Sequence, residues 1–200
     1  MVILKYMKLY FSLEQTYPLA PFATFGPVLL SELFFGIAYR ESLSDLSLVA
    51  AAFYFLVGII LWTLIEYILH RFFFHATSDN HIMKQFNSGL HLLHHNDPAS
   101  PRFIAAPMAL GIPVYALFMT GCLLVTQNLV LTTFLGAGIT VGYLLYEWVH
   151  YAAHVLKATN PISKYWKKYH LVHHFKHPDR FFGVTSPIWD IVVGVFERHP

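Results

Sequence analysis

The chain has 200 residues, of which 56% are apolar and only 12% are charged, with a formal net charge of +2 and a mean hydropathy of +0.50. Soluble domains usually contain about 25% charged residues, so this composition excludes an ordinary soluble protein and indicates an integral membrane protein. The single cysteine, Cys122, excludes an internal disulfide framework. The length fits one domain, since domains usually have about 100–200 residues.

The N-terminal segment 1–21 carries Lys5 and Lys8 among Leu, Tyr and Phe residues and has no small-residue cleavage site. This pattern is typical of an amphipathic helix that lies in the membrane interface, rather than of a signal peptide. We therefore predict an interfacial segment over residues 1–21 and one membrane domain over residues 22–200.

Four apolar segments follow, each near the roughly 20 residues that a helix needs to cross a bilayer. The predicted transmembrane helices lie near 22–39, 46–69, 103–126 and 129–149. Pro27 and Glu32 interrupt the first, which leaves a shallow or broken helix as the alternative. Only a tight turn around Gln127–Asn128 fits between the third and fourth, so these two form a hairpin. The predicted fold class is all-α, with a helical cap outside the membrane formed by segments 70–102 and 150–200.

Basic residues set the predicted orientation, because short cytoplasmic loops are enriched in Lys and Arg. Apart from Arg40, every basic residue lies in the N-terminal segment, in the loop 71–102 or in the tail after Tyr151. We expect a multi-pass protein with these three segments on the cytoplasmic side. The membrane is expected to be the endoplasmic reticulum in a eukaryote and the inner membrane in a bacterium.

Histidine is the most informative residue type, because ten of the 13 histidines fall into four clusters on this cytoplasmic side. The clusters are His70 with His75, His91 with His94 and His95, His150 with His154, and His170 with His173 and His174. Residues three and four apart share a helix face, so each cluster of three is expected to offer its imidazoles from one patch. His70 and His75 are five apart, so we expect the helix to end between them.

Ten nitrogen donors exceed the about four to six ligands of a common metal site, whereas two ions with about five ligands each account for all of them. A structural zinc site is often closed by cysteine, and no cysteine lies near the clusters. The pattern therefore favours two redox-active irons, with zinc able to replace them in purified protein. The isolated histidines His81, His177 and His199 are predicted not to be ligands. A histidine-rich loop that binds metal adventitiously is the alternative, but such tracts lack fixed spacing.

Four stretches resemble the fatty acid hydroxylase and sterol desaturase superfamily of membrane di-iron enzymes, and within it the fatty acid 2-hydroxylases. They are WTLIEYILHRFFFH (Trp62–His75), GLHLLHHNDP (Gly89–Pro98), GYLLYEWVH (Gly142–His150) and KKYHLVHHFKHPDRFFGVTSPIWD (Lys167–Asp190). The resemblance implies that all ten clustered histidines are metal ligands. It also implies insertion of oxygen from O2 into a lipid acyl chain, at carbon 2 of a fatty acid or ceramide.

The chain departs from the 2-hydroxylase pattern in two ways. It lacks the length and the paired histidines of the N-terminal cytochrome-type haem domain that many members carry, so electrons are expected from a separate cytochrome or ferredoxin and its reductase. It also reads Tyr146-Glu147 where the family tends to have aspartate after the tyrosine.

Three further side chains are candidates for a role beside the metals or the substrate. Glu66, one helical turn before His70, is expected to accept an imidazole N–H, or else to meet Arg71 at the interface. Tyr146 is expected to hold the lipid head group, or else to be an aromatic-belt anchor. Glu147 is a further candidate. Weaker candidates for orienting an imidazole are Asp97, Asp179 and Asp190.

The expected partners are a lipid substrate, O2, the electron carrier and membrane lipids, with no nucleic acid. Lys164, Lys167 and Lys168 are expected to contact anionic lipid head groups or, alternatively, an acidic carrier. Sterol methyl oxidation, desaturation and carotenoid hydroxylation remain open within the superfamily, because ligand spacing does not separate them. Outside it, the alternatives are a membrane metal transporter or sensor, and a lipid-binding scaffold without activity.

Overall fold

The computed structural model describes residues 18–76, 87 and 91–194, so most of the predicted interfacial segment 1–21 lies outside the described residues. Every regular element within them is helical. The helices are α1 (Ala20–Ser44), α2 (Leu48–Ile68), α3 (Leu92–Asn96), α4 (Met108–Thr126), α5 (Leu129–Val155), α6 (Pro161–Phe175) and α7 (Ile188–Val192). A π-helix, Leu69–Phe74, continues α2.

Four helical segments are long and apolar enough to cross a membrane, which confirms the all-α, multi-pass fold class. They are Ala20–Ser44, Leu48–Phe74, Met108–Thr126 and Leu129–Val155. The predicted tight turn is also present, because α4 ends at Thr126 and α5 begins at Leu129. Asn128 starts α5 by accepting a hydrogen bond from the Leu131 N–H at 2.9 Å.

The helices differ from the sequence prediction in their continuity and in their bounds. Helix α1 is continuous across Pro27, so the broken-helix alternative is wrong. Helix α4 begins at Met108 rather than at 103, because Pro107 disfavours a helical conformation of the residue before it. Helix α5 continues past 149 to Val155 and therefore carries both His150 and His154.

The chain forms two compact units. The apolar unit comprises Pro21–Ile65 and Met108–Leu145. The histidine unit comprises residues 18–20 and the described residues of Glu66–Pro107 and Tyr146–Pro200. The predicted division into an interfacial segment and one domain over 22–200 stays a prediction.

In the apolar unit, α2 and α5 approach each other closely at two glycines. A Cβ atom on Gly58 would lie 2.2 Å from the Leu135 carbonyl oxygen, and one on Gly138 would lie 2.1 Å from the Phe55 carbonyl oxygen. Small residues let membrane helices approach backbone to backbone. These glycines therefore fix the packing of the two helices.

A buried carboxylate joins three helices of the same unit. Glu32 of α1 accepts hydrogen bonds from the Tyr115 hydroxyl of α4 and, at 3.0 Å, from the Thr140 hydroxyl of α5. An ionisable side chain within a membrane span is costly unless it has partners. The two hydroxyls supply those partners.

Candidate metal centre

The π-helix at the end of α2 brings the first two histidines together. The His75 N–H bonds to the His70 carbonyl five residues earlier, at 3.1 Å, and the two ring centroids lie 5.0 Å apart. The helix ends at Phe74, between the two histidines as predicted, but its last turn is a π-helix that keeps His75 beside His70. The wider turn of a π-helix places residues five apart near one face, and such turns are frequent at functional sites.

Three other elements supply the remaining eight histidines. His91 precedes α3, and His94 and His95 lie on it. Helix α5 carries His150 and His154 in its last turns. Helix α6 carries His170, His173 and His174 near its C-terminus. Helix α6 begins with a reciprocal capping box in which Asn160 and Ser163 bond to each other's backbone N–H groups, so its start is firmly defined.

The ten imidazoles form two groups of five, and in each group one nitrogen from every ring lies within 4.8 Å of the others. Group A consists of His70, His75, His91, His95 and His173, and group B of His94, His150, His154, His170 and His174. The rings of each cluster of three lie in one patch as predicted, with centroids 4.6–6.1 Å apart, but each cluster is divided between the two groups. Pairs four apart stay together, as His91 with His95 and His170 with His174, whereas His94 and His173 join the opposite group.

The spacing of the Nε2 atoms fits a shared cation. In group A, His91 Nε2 lies 3.0 Å from both His70 Nε2 and His95 Nε2, and His173 Nε2 lies 3.1 Å from His75 Nε2. Two ligands at right angles on a metal–nitrogen bond of about 2.1 Å lie about 3.0 Å apart, whereas a tetrahedral angle requires about 3.4 Å. A single N–H of His91 cannot donate to both His70 Nε2 and His95 Nε2, whereas one metal ion can bind all three nitrogens.

Group B has the same spacing. His150 Nε2 lies 2.9 Å from His94 Nε2, and His170 Nε2 lies 2.7 Å from His154 Nε2 and 3.0 Å from His174 Nε2. Both groups therefore fit about five nitrogen ligands around one ion better than a closed four-ligand zinc site.

Burial keeps these imidazoles uncharged. It lowers the pKa of His75 and of His95 from the ordinary 6.5 to about 4, and that of His94 to about 2. Burial, followed by repulsion from neighbouring imidazoles, also lowers the pKa of His91, His170, His173 and His174. Neutral imidazole is the form that binds metal, so both groups are ready to bind near pH 7.

A buried loop over residues 180–185 orients two imidazoles of group A. His70 Nδ1 donates to the Phe182 carbonyl at 2.6 Å, and His173 Nδ1 donates to the Arg180 carbonyl at 2.7 Å. Since the proton is on Nδ1, the Nε2 lone pair of each neutral ring is free to face an ion. Phe181, fully buried between the two carbonyls, has a left-handed φ of 60°.

Two buried carboxylates hold this loop in place. Asp190 accepts from the Phe182 N–H at 3.0 Å, the Gly183 N–H at 2.9 Å and the Tyr169 hydroxyl at 2.8 Å. Glu66 accepts from the Val184 and Thr185 N–H groups and from the Thr185 hydroxyl.

Glu66 thus acts on the centre in a way that the sequence did not indicate. Its three described hydrogen bonds go to the loop rather than to an imidazole, and Arg71 donates instead to the Tyr67 hydroxyl. The carbonyls of Arg180 and Phe182 were not predicted, because a backbone acceptor leaves no residue-type signal in the sequence.

The other candidates differ in how near they lie to the imidazoles. Tyr146 lies one helical turn before His150, with ring centroids 5.5 Å apart, and Glu147 is buried. Asp97 and Asp179 are exposed. His177 belongs to neither group, and its ring is 6.1 Å from that of Phe181. His81 and His199 lie outside the described residues.

The predicted lysines line one groove on the surface of α6. Lys164, Lys167 and Lys168 are joined there by Lys176, around an apolar floor that includes Phe175.

A model of the fatty acid hydroxylase family matches residues 55–195. The chain belongs to this family. The match contains all ten clustered histidines and the loop that orients two of them.

The fatty acid hydroxylase relatives include a dihydroceramide fatty acyl 2-hydroxylase of Arabidopsis thaliana, 37% identical over 69% of this chain and 58% of that protein. A ceramide very long chain fatty acid hydroxylase of Saccharomyces cerevisiae is 37% identical over 78% of this chain and 41% of that protein. Human fatty acid 2-hydroxylase is 33% identical over 68% of this chain and 37% of that protein. The chain thus spans less than two thirds of these relatives.

A solved structure supports the same family fold. The hydroxylase domain visible in full-length scs7p superposes with a TM-score of 0.82 and 31% identity, covering 93% of this chain and 69% of that chain.

Proposed function

We propose that this chain hydroxylates the acyl chain of a membrane lipid, at carbon 2 of a fatty acid or ceramide, with a histidine-held di-iron centre. One atom of O2 enters the C–H bond and the other leaves as water, which consumes two electrons and two protons. The observation that carries this proposal is the convergence of two buried groups of five neutral imidazoles in a member of the fatty acid hydroxylase family.

Each group would hold one iron through its Nε2 atoms. Bound iron supplies the oxygen chemistry, while the protein supplies position and electrostatics. The low pKa values of His75 and His95 keep protons from competing for the ligand nitrogens. Buried Phe181 and Phe182 exclude water from the loop that orients group A.

The names of the relatives support the proposed lipid class. The matched proteins of Arabidopsis thaliana and Saccharomyces cerevisiae are described as acting on dihydroceramide fatty acyl groups and on ceramide very long chain fatty acids. We place the lipid head group near Tyr146, since its ring lies beside His150. Glu147, the next residue, is a further candidate for the substrate side of the site.

Two electrons must come from outside the two metal groups. We propose a separate cytochrome or ferredoxin with its reductase as the donor. The lysine groove on α6 carries four positive side chains and an apolar floor, which supports contact with anionic lipid head groups. The positive-inside pattern supports a cytoplasmic metal centre, in the endoplasmic reticulum or a bacterial inner membrane.

Lipid analysis of a host with and without the protein tests the reaction. We expect new 2-hydroxy acyl lipids, and about two irons per chain in protein purified without added metal. His94→Ala in group B and His173→Ala in group A should each reduce the product at least 100-fold and lower the metal content.

His177→Ala is the matched control, because His177 lies near the centre but in neither group. It should retain both product and metal. New double bonds, or altered sterols or carotenoids, would identify one of the other superfamily reactions instead. Full lipid-modifying activity in either ligand variant would refute a metal-dependent reaction.

A further inference from the structure

The two metal groups have different surroundings at Nδ1, the imidazole nitrogen that faces away from the ion. In group A, two of the five Nδ1 atoms donate to backbone carbonyls, those of Phe182 and Arg180. In group B, four of the five are buried without a protein acceptor in the described part of the chain. These four belong to His94, His150, His170 and His174.

The carbonyls of group A are themselves fixed. Asp190 is fully buried and Glu66 is 3% exposed. The two carboxylates accept six hydrogen bonds, five from residues 182–185 of the loop and one from the Tyr169 hydroxyl. The left-handed backbone of Phe181 is costly for a residue with a side chain, and such strain persists only where the surroundings enforce it. The conformation of the loop is therefore fixed by its surroundings, and the two carbonyls are held in position.

Groups that orient a metal-binding imidazole typically contribute 10–100-fold to metal affinity, because they fix the tautomer and the ring position. Group A has such groups on two rings, and the buried Nδ1 atoms of group B have none among the residues that the structure describes. We propose that the two groups hold their ions unequally, with group A retaining its ion and group B exchanging it faster. Asp190 and Glu66 act as positioning residues for group A alone.

This inference rests on the proposed di-metal function, and metal release from the full-length protein tests it without reference to activity. Protein loaded with two zinc ions is mixed with an excess of a chromogenic chelator, and the release of zinc is followed in time. We expect two phases of about one ion each, with rates at least 10-fold apart. Binding of fewer than two ions would contradict the proposed function, whereas release of two ions in one phase would overturn only the inequality.

Asp190→Asn tests the assignment of the slow phase. The amide of the new side chain places an N–H donor against either the Phe182 N–H or the Gly183 N–H. It therefore disturbs the loop, although asparagine and aspartate have nearly the same size. We expect the slow phase to become 10–100-fold faster and the fast phase to stay unchanged. A general loosening of the fold would accelerate both phases, and that result would overturn the proposal.

Glu66→Gln provides a second variant with a milder change, since one amide oxygen can still accept both N–H groups that now bond to a single carboxylate oxygen. It should accelerate the same phase by a smaller factor. Glu32→Gln is the matched control, because Glu32 is a buried carboxylate of the apolar unit with two hydroxyl partners. It should change neither phase, and equal effects of Glu32→Gln and Asp190→Asn would refute the assignment.

Discussion

Burial gives the imidazoles outside the membrane spans their chemical character. His75 and His95 keep a pKa of about 4, so a metal ion meets little competition from protons at neutral pH. The same burial makes the stability of the metal-free protein sensitive to acid. The unfolded chain takes up protons below pH 6.5, while the folded chain does not until about pH 4.

The metal-free protein should therefore lose stability as the pH falls. The unfolded state binds more protons than the folded state between pH 6.5 and about 4, so the free energy of unfolding decreases through that interval. Thermal unfolding of metal-free protein in detergent at pH 7.5, 6.5 and 5.5 measures this. The midpoint should fall from pH 6.5 to pH 5.5. A midpoint that rises on acidification would contradict it.

Elements set which residues can meet. The π-helix Leu69–Phe74 converts a five-residue spacing into a shared face, and the sequence pattern did not predict it because hydrophobic periodicity does not specify a wider turn. In the apolar unit, Gly58 and Gly138 set the distance between α2 and α5, which the apolar stretches alone leave open.

Gly138→Ala should destabilise the protein, because its Cβ would lie 2.1 Å from the Phe55 carbonyl oxygen and backbone atoms cannot move aside cheaply. Overpacking of this kind costs about 1–3 kcal/mol. Thermal unfolding in detergent should show a lower midpoint. Gly121→Ala in α4 is the control, since a Cβ there meets no atom within 4 Å, and it should cause no loss. Equal midpoints for both variants would contradict the close packing of α2 against α5 at Gly138.

At the scale of the whole molecule, four apolar spans and the distribution of basic residues describe a multi-pass protein with a proposed cytoplasmic metal centre. The spans were predicted because about 20 apolar residues suffice to specify a crossing. The orientation depends on charge alone, so it calls for a direct test.

Single-cysteine labelling tests the orientation. In a Cys122→Ser background, Lys164→Cys and Gln127→Cys each introduce one thiol at an exposed position. In sealed vesicles with the cytoplasmic face outward, an impermeant maleimide should label Lys164→Cys directly and Gln127→Cys only after detergent is added. The reverse result would place the metal centre on the opposite side.

The sequence by itself determined the class of the molecule and the set of ten histidines, because hydropathy and residue type act locally and leave a pattern in the chain. The tertiary structure decided how the ten divide. His94 and His95, and likewise His173 and His174, are neighbours in sequence yet belong to different groups, since adjacent helical residues point about 100° apart and meet different partners. It also decided that Glu66 and Asp190 hold a loop rather than an imidazole, because backbone carbonyls acquire their partners only when distant segments fold together.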